Sequence, residues 1–330
     1  MKALVDLGHH VEGVDTEPPH VRNLQRRFFY RLSGKLFRLG LNAFGPKDLA
    51  RANEAIIKKT KNERWDVLWI DKGLTIDAKT LSEAKARNPA CRIVGYSPDD
   101  MFARHNQSRQ FLEHISFYDI FFTTKSYNVP ELRSLGCQRV EFVGNAFDPR
   151  IHRPRNVSSS ERSRLGGPVG FIGDYERNRA SSMYHLSKKG IQVRVWGPNW
   201  QKCRLESQNL RVELQSLWGE DYAKAICSFD INLCFLRKAN RDLQTTRSVE
   251  IPACGGFMLA ERTQEHLELF QEGKEADFFD CDEELVDKVR YYLSHEEERK
   301  RIAAAGRERC LTSGYSNQDR LRKMFDLVME

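Results

Sequence analysis

The sequence predicts an α/β protein built from two doubly wound domains, each with a parallel sheet covered by helices. Three observations predict it: a length of 330 residues, short apolar runs that alternate with amphipathic stretches, and a restart of that alternation near residue 168. A chain of this length fits two domains of roughly 150 residues each. Strands that alternate with helices are typical of parallel sheets with helices on both faces.

In the first half, apolar runs predict five strands and periodic stretches predict four helices. The predicted strands are 10–14, 66–70, 92–96, 118–123 and 140–143. The predicted helices are 46–62, 78–87, 106–115 and 128–135. The polar stretch 152–167 is typical of a linker, so the N-terminal, acceptor-side domain is expected to span residues 1–151.

The second half repeats the pattern and is expected to form a C-terminal nucleotide-binding domain over residues 168–315. Its predicted strands are 168–172, 193–196, 230–235, 257–260 and 277–279. Its predicted helices are 176–188, 219–227, 247–254, 282–293, 295–309 and 317–329. Residues 316–330 are expected to return as a helix to the first domain.

Composition excludes several classes of protein. A hydrophobic content of 40% with 19 Phe and 5 Trp supplies enough apolar mass for two cores, which excludes wholesale disorder. The longest apolar runs fall short of the roughly 18 residues needed to span a bilayer, and the first residues do not resemble a signal peptide. The 8 cysteines are scattered without CxxC spacing. We therefore expect reduced thiols and a cytoplasmic protein.

Positive charge is concentrated near the N-terminus. The formal net charge is +7, yet segment 22–64 alone holds twelve Lys and Arg against three acidic residues. Apolar residues of 21–41 fall on one helical stripe, which predicts an amphipathic helix packed on its own sheet. The alternative is a helix that lies on an anionic membrane, which would make the protein peripheral at the inner membrane face. Nucleic-acid binding is not expected, because no RNA-binding motif accompanies these charges.

The segment 235–259 carries the most informative chemistry. In open α/β sheets, ligands bind beyond the carboxyl ends of the strands. Here a strand is followed by a basic loop and a helix that begins near Thr246. We expect that helix start, with Arg241 and Arg247, to hold phosphate, and Glu250 to accept two hydroxyls of a ribose. The alternative is a surface ion pair between Arg247 and Glu250.

The same region resembles a known family. The runs TRSVEIPACGGFMLAERT, FIGDYERNR, VWGPNW and DINLCFL resemble, in order and spacing, the donor domain of CgeB-like glycosyltransferases. That family belongs to the GT-B superfamily, in which two Rossmann-like domains face a cleft. The resemblance implies transfer of a sugar from a nucleotide-sugar donor to an acceptor, with no cofactor besides that co-substrate.

The resemblance also implies roles for single residues. Glu250 corresponds to the second glutamate of the family's EX7E pattern, which holds the nucleotide ribose. The position of the first glutamate, which contacts the donor sugar in the family, is occupied by Asp242, a carboxylate shorter by one methylene and therefore a departure from the pattern. Arg177 and Arg179 correspond to basic residues that bind the diphosphate.

Two glycine-containing turns complete the implied donor site. Gly173 ends the first strand of the second domain, and Trp196 with Gly197 lies where the family borders the base. Core packing is the alternative for Trp196.

A metal-independent site is expected. Transferases that use a metal hold it with an Asp-x-Asp pair, and this chain has one such pair at Asp280 and Asp282. Asp280 with Glu283 has the spacing of a capping box, so we interpret this pair as a helix start. The histidines show no metal-ligand spacing.

On the acceptor side, Asp99 and Asp100 follow a predicted strand, and either can act as general base towards an acceptor hydroxyl. A turn aspartate after Pro98 is the alternative. His105 and His152 are interpreted as structural.

The N-terminus departs from the family. A first strand and its glycine turn, which precede a phrase like LGHHVEG in the family, are missing before it. Either the start is misassigned or the first domain lacks a strand. Three hypotheses therefore stand: a glycosyltransferase, a weakly active or inactive nucleotide-sugar- or partner-binding module, and a sugar-nucleotide epimerase of the same architecture.

Overall fold

The computed structural model describes residues 1–16, 32, 35–37 and 47–330. They form two compact units. Unit 1 comprises Met1–Gly144 and Arg320–Glu330, and unit 2 comprises Asn145–Asp319. Much of the basic segment 22–64, including most of the predicted amphipathic helix 21–41, lies outside the described residues.

Unit 1 contains a four-stranded parallel sheet in the order β1-β2-β3-β4. The strands are β1 Val67–Asp71, β2 Arg92–Ser97, β3 Ile120–Thr123 and β4 Val140–Phe142. The helices are Lys2–Asp6, Ala52–Asn62, Ala78–Arg87, Arg109–His114 and Asn128–Ser134, with short 3-10 turns at Arg104–Asn106 and Ile115–Phe117.

Side chains of successive residues in these strands point to opposite faces of the sheet, and each face packs into an apolar core. On one face, Val94 and Phe122 pack with Met324 and Val328 from the C-terminal helix Asn317–Met329. That helix therefore closes the second face of the sheet of unit 1.

The prediction of a strand at 10–14 is wrong, because the described residues 9–16 form neither helix nor strand. Their side chains contact the helical layer instead of a neighbouring strand. His10 stacks on Trp65 with ring centroids 5.6 Å apart, and Glu12 pairs with Lys59. Alternating polarity alone does not make a strand without a hydrogen-bonded partner.

Unit 2 contains a six-stranded parallel sheet in the order β10-β9-β8-β5-β6-β7. The strands are β5 Gly167–Ile172, β6 Val193–Trp196, β7 Leu210–Glu213, β8 Phe229–Cys234, β9 Met258–Glu261 and β10 Asp277–Phe279. The helices are Ser159–Leu165, Arg177–Lys188, Gly219–Ser228, Arg247–Ala253, Gln264–Leu269, Asp282–Ser294 and Glu296–Thr312, with 3-10 turns at Trp200–Lys202 and Lys238–Asn240.

The strand order reverses between β5 and β8, so the two halves of the sheet wind in opposite directions from this point. In doubly wound sheets such a switch point opens a crevice at the carboxyl ends of the strands, and ligands bind there. The predicted fold class, two α/β units with parallel Rossmann-like sheets, is confirmed.

The segment 152–167, predicted as a linker, contains the helix Ser159–Leu165. Ser158 accepts a hydrogen bond from the Glu161 backbone N–H, and the Glu161 carboxylate accepts one from the Ser158 backbone N–H. This capping box stabilises a short helix in a sequence without an apolar stripe. The segment is therefore polar because it forms a helix at the surface.

None of the described helices is long and apolar enough to cross a membrane. The eight cysteines are free thiols.

Candidate functional site

The loops after β5 and β6 approach each other closely at the carboxyl edge of the unit 2 sheet. The Gly173 backbone N–H donates to the Trp196 carbonyl at 2.8 Å, and the Gly173 carbonyl accepts from the Trp200 indole at 2.9 Å. A Cβ on Gly197, whose φ is +149°, would lie 1.9 Å from the Gly173 oxygen. Both conformation and space therefore require glycine at position 197.

Two arginines lie against the ring of Phe171, which is near the end of β5. The guanidinium carbon of Arg179 is 5.6 Å from the ring centroid and that of Arg247 is 5.5 Å from it. The Arg179 Nη1 donates to the Asp174 carbonyl at 3.1 Å, and the Arg247 Nη2 donates to the Phe235 carbonyl at 3.2 Å. Nε of each arginine is buried and has no hydrogen-bond acceptor within the described part of the chain.

Burial makes this pair costly for the free protein. Arg179 is 3% exposed, and its burial, followed by the charge of Arg247, lowers the pKa of its guanidinium. Glu176 is 3.9 Å from the Arg179 Nε and 3.4 Å from the Nε of Arg237, so two arginines share one carboxylate. Three arginines and one glutamate together carry a net charge of two positive units. Such a cluster favours an anion beside it.

Glu250 lies on the helix Arg247–Ala253 and contacts two partly buried side chains. The Tyr222 hydroxyl donates to its Oε2 at 2.7 Å, and the His152 Nε2 is 3.6 Å from its Oε1. Burial, and then the charge of Glu250, raises the pKa of Tyr222 well above its ordinary value. Arg247 is directed to Phe235 and Phe171 instead, so the alternative of a surface pair between Arg247 and Glu250 does not describe these side chains.

Trp196 lies in the core, which corrects its predicted place beside the base. Trp196 is 5% exposed, and its indole N–H donates to the Leu165 carbonyl at 3.0 Å. The Arg194 guanidinium lies over its ring, 4.9 Å from the centroid. The physical reason is that all four residues of β6 are buried between helical layers.

Three further predicted donor residues lie at the surface. Arg177, Arg241 and Thr246 are exposed. Thr246 occupies the N-cap position, but its backbone is already helical and its side chain makes no cap bond. Thr246 therefore does not cap the helix, since a capping side chain requires an extended backbone at that position.

Asp242 closes the loop that follows β8. Its carboxylate accepts from the Arg237 backbone N–H at 3.3 Å and from the Asn240 amide at 2.8 Å. These bonds give it a structural role beside any contact with a donor sugar.

The Asp280–Asp282 pair serves the local fold. Asp280 pairs with Arg262, and its backbone N–H donates to Glu284 at 2.8 Å. The helix begins at Asp282 with Cys281 as N-cap. A helix thus starts here as predicted, but the predicted capping box of Asp280 with Glu283 is wrong, because Cys281 is the N-cap and its side chain makes no cap bond.

In unit 1, the two candidate bases differ in burial. Asp100 is 2% exposed, and its Oδ1 accepts from the Phe102 backbone N–H at 3.0 Å and from the Asn128 amide at 2.9 Å. A carboxylate enclosed and bonded in this way organises its own turn, so its prediction as a base is corrected. Asp99 pairs with Lys72 and is partly exposed.

A cavity of about 420 Å³ lies at the carboxyl ends of β1 and β2. Its lining includes Asp71, Lys72 and Tyr96. Burial, together with the carboxylates of Asp71 and Asp99, raises the pKa of Tyr96 to about 12. Because these three polar side chains line it, the cavity is a candidate site for a hydroxylated molecule.

Three exposed side chains elsewhere in unit 1 have possible metal-ligand atoms close together, namely those of His10, Glu12 and Glu63. Glu12 is already paired with Lys59. This cluster is far in sequence from the residues around Phe171.

Sequence reasoning missed the partners of the predicted residues. Tyr222 precedes Glu250 by 28 positions, and His152 was interpreted as structural without a partner. A local motif does not encode such contacts, because they depend on how separate helices pack.

Part of the sequence is similar to a known family of proteins. Residues 179–326 match a family model described as "Glycosyl transferase-like". The C-terminal part of the chain is thus similar to glycosyl transferases, while the CgeB-like subfamily stays a prediction. No curated protein matches the chain.

Several solved structures are similar to this chain. Anabaena HepE in complex with UDP-glucose has 12% identity and a TM-score of 0.58 over 84% of this chain and 83% of that one. Sucrose-phosphate synthase from Thermosynechococcus elongatus has 9% identity and a TM-score of 0.58 over 84% and 78%. A glycosyltransferase from Rickettsia africae has 12% identity and a TM-score of 0.60 over 84% and 79%. At such identities the similarity establishes the fold, which is that of the GT-B class.

Proposed function

We propose that this chain is a glycosyltransferase that transfers a sugar from a nucleotide-sugar donor to an acceptor without a bound metal ion. In this proposal Arg179 and Arg247 bind the diphosphate, assisted by the exposed Arg177 and Arg241. Glu250 binds the ribose. The glycosyl transferase-like domain and the GT-B fold support this assignment.

The pair of guanidinium groups beside Phe171, that of Arg179 buried and that of Arg247 partly buried, is the observation that carries the proposal. Each has a buried Nε without a protein acceptor among the described residues, and Arg179 is 3% exposed. Like charges that are desolvated together lower stability unless an anion joins them. A diphosphate supplies two to three negative charges and several acceptor oxygens, so it satisfies both needs.

The same pair suits the chemistry of transfer. When the bond between the anomeric carbon and the diphosphate oxygen breaks, negative charge develops on the departing oxygen. Fixed positive groups in a water-poor site stabilise that charge without reorganising. The acceptor hydroxyl then forms the new bond and loses its proton to a base.

For that base we propose Asp99. It is partly exposed and pairs with Lys72, a residue that lines the cavity at the ends of β1 and β2. Asp100, which is enclosed by its own turn, is not proposed.

HepE was solved with UDP and with UDP-glucose, and this supports a uridine nucleotide as the first donor to try. Titration calorimetry with UDP, GDP and ADP, with and without EDTA, tests donor binding. We expect one nucleoside diphosphate to bind with equal affinity in both conditions. Loss of binding in EDTA would contradict the metal-independent site, and absence of binding by all three would contradict the proposed function.

A second candidate is a nucleotide-sugar-binding module without transferase activity. The engagement of the Asp242 carboxylate by Arg237 and Asn240 favours it, because the acidic group implied to contact the donor sugar already has two donors. Release of labelled sugar from the donor separates the two functions. A transferase releases sugar to water or an acceptor, whereas a module binds the donor and leaves it intact.

A further inference from the structure

Two side chains from separate segments of unit 2 meet at the carboxylate of Glu250. Tyr222, on the helix Gly219–Ser228, donates to Oε2 at 2.7 Å. His152, in the segment before the helix Ser159–Leu165, lies with Nε2 3.6 Å from Oε1. The imidazole and phenol rings also contact each other edge to face, with centroids 5.7 Å apart.

The proton on His152 can be assigned from its other nitrogen. The Asp148 backbone N–H donates to Nδ1 at 3.0 Å, so Nδ1 is an acceptor and the neutral ring carries its proton on Nε2. Burial keeps the pKa of His152 below its ordinary value. The ring therefore presents an N–H towards Oε1 of Glu250.

The backbone around Asp148 is itself fixed within unit 2. Phe147 N–H donates to the Tyr315 carbonyl at 3.1 Å, and Asn317 N–H donates to the Phe147 carbonyl at 2.9 Å. These bonds hold the segment that carries His152 against the rest of the unit.

We infer that Tyr222 and His152 are positioning residues that hold the Glu250 carboxylate so that its two oxygens accept the paired hydroxyls of a nucleotide ribose. This inference rests on the proposed function. It adds two residues that have no role in the motif around Glu250.

The number of available lone pairs supports this role. A carboxylate accepts about four hydrogen bonds, two on each oxygen. Tyr222 uses one on Oε2 and His152 faces Oε1, which leaves one direction on each oxygen. Each oxygen can therefore accept one of the two vicinal hydroxyls of a ribose.

Exposure is consistent with that geometry. The side chain of Glu250 is 15% exposed and that of His152 is 12% exposed. The carboxylate is thus largely enclosed by Tyr222, His152 and their surroundings, and it keeps a small accessible surface for a ligand. A carboxylate held only for core packing has no need of that surface.

The test compares a ribose with a ribose that lacks its hydroxyls. UDP, its 2′,3′-dideoxy analogue and inorganic pyrophosphate are titrated against the wild type and against Tyr222→Phe. We expect Tyr222→Phe to lower UDP affinity about tenfold, since one hydrogen bond to a charged group is lost from the carboxylate that binds the diol. Affinities for the dideoxy analogue and for pyrophosphate should stay unchanged.

Tyr292→Phe is the matched control. The Tyr292 hydroxyl also donates to a carboxylate, Asp277 Oδ2, at 2.7 Å, but Asp277 is the first residue of β10 and lies at the amino end of that strand, whereas ligands bind beyond the carboxyl ends. This variant should lose stability as Tyr222→Phe does and keep its UDP affinity. His152→Ala should lower UDP affinity less than Tyr222→Phe, because 3.6 Å is longer than a normal hydrogen bond; it provides the same comparison if Tyr222→Phe fails to fold.

Equal losses for UDP and the dideoxy analogue would overturn the inference, because they would indicate a general structural effect. Unchanged UDP affinity in both variants would overturn it as well. These outcomes are distinct from failure of the proposed function, in which the wild type binds neither UDP nor another nucleoside diphosphate. If GDP or ADP replaces UDP as the ligand, its own dideoxy form is used.

Discussion

Replacement of Arg179 by methionine separates binding from stability. Arg179 and Arg247 lie on the same aromatic ring, at 5.6 Å and 5.5 Å from its centroid. Methionine keeps an apolar stem of similar bulk and removes one of the two positive charges. The free protein loses a repulsion, while the bound protein loses a contact with the ligand.

The magnitudes follow from these distances. The two ring distances add to 11.1 Å, which is an upper limit on the separation of the guanidinium carbons. At an effective dielectric constant of about 20, their repulsion is at least about 1.5 kcal/mol. Loss of the charged hydrogen bond to the Asp174 carbonyl offsets this relief by about 1.5 kcal/mol, and Glu176, which loses its 3.9 Å contact with Arg179, keeps Arg237 as a partner. We expect the free energy of unfolding to change by less than about 1 kcal/mol.

Binding should respond much more strongly. One charged contact with a diphosphate contributes about 1.5–3 kcal/mol, so nucleoside diphosphate affinity should fall about 10- to 150-fold. Calorimetry measures the affinity, and urea unfolding of the ligand-free protein measures the stability.

Arg194→Met is the matched control within the same sheet. Arg194 is also buried, but it pairs with Glu213 at 2.7 Å and donates to the carbonyls of Ser163 and Gly166. Glu213 is partly exposed and keeps Arg211 as a partner, so loss of Arg194 and its charged hydrogen bonds should cost about 1.5–3 kcal/mol, and nucleotide affinity should not change. The reasoning about an anion site is refuted if Arg179→Met loses stability as Arg194→Met does and keeps its nucleotide affinity.

Three further predictions concern other parts of the molecule. Glu250→Gln should lower nucleoside diphosphate affinity about tenfold in calorimetry with little change in stability, because it weakens charged hydrogen bonds to the ribose; unchanged affinity would contradict the ribose assignment. Burial lowers the pKa of His114, His152 and His266. Below pH about 6.5 the unfolded chain therefore binds protons that the folded chain does not. The free energy of unfolding should then fall by up to about 1.4 kcal/mol per pH unit for each histidine. Urea unfolding between pH 7.5 and 5.5 measures this slope, and a flat profile would contradict it. If the basic segment 22–64 lies on anionic lipid, the protein should sediment with anionic vesicles at low salt and be released by added salt; no sedimentation at low salt leaves the helix packed on its own sheet.

Local periodicity alone determined much of the fold. The strands Val193–Trp196 and Asp277–Phe279 and the helices Ala78–Arg87 and Asn317–Met329 have the predicted bounds. Their apolar residues repeat with the period of the element, and this signal is present in the sequence before the chain folds. Strand Leu210–Glu213 was missed because its charged residues and partial exposure at the sheet edge weaken that signal.

The sequence also located the candidate site, because the residues that follow strand ends are known once the strands are. Glu250 and Arg179 were found in this way and through the resemblance. Tertiary structure decided what each residue does there. Arg177 and Arg179 are separated by about 200° around their helix, so when one faces Phe171 the other faces solvent.

Contacts between distant segments were decided by packing alone. Trp196 and Asp100 follow or end strands as functional residues do, yet they are enclosed at 5% and 2% exposure. Tyr222 meets Glu250 through the packing of two helices. Sequence spacing describes neighbours along one helix or strand, whereas burial and contact between helices depend on which faces of separate elements pack together, and this is fixed only when the sheet and its helices are assembled.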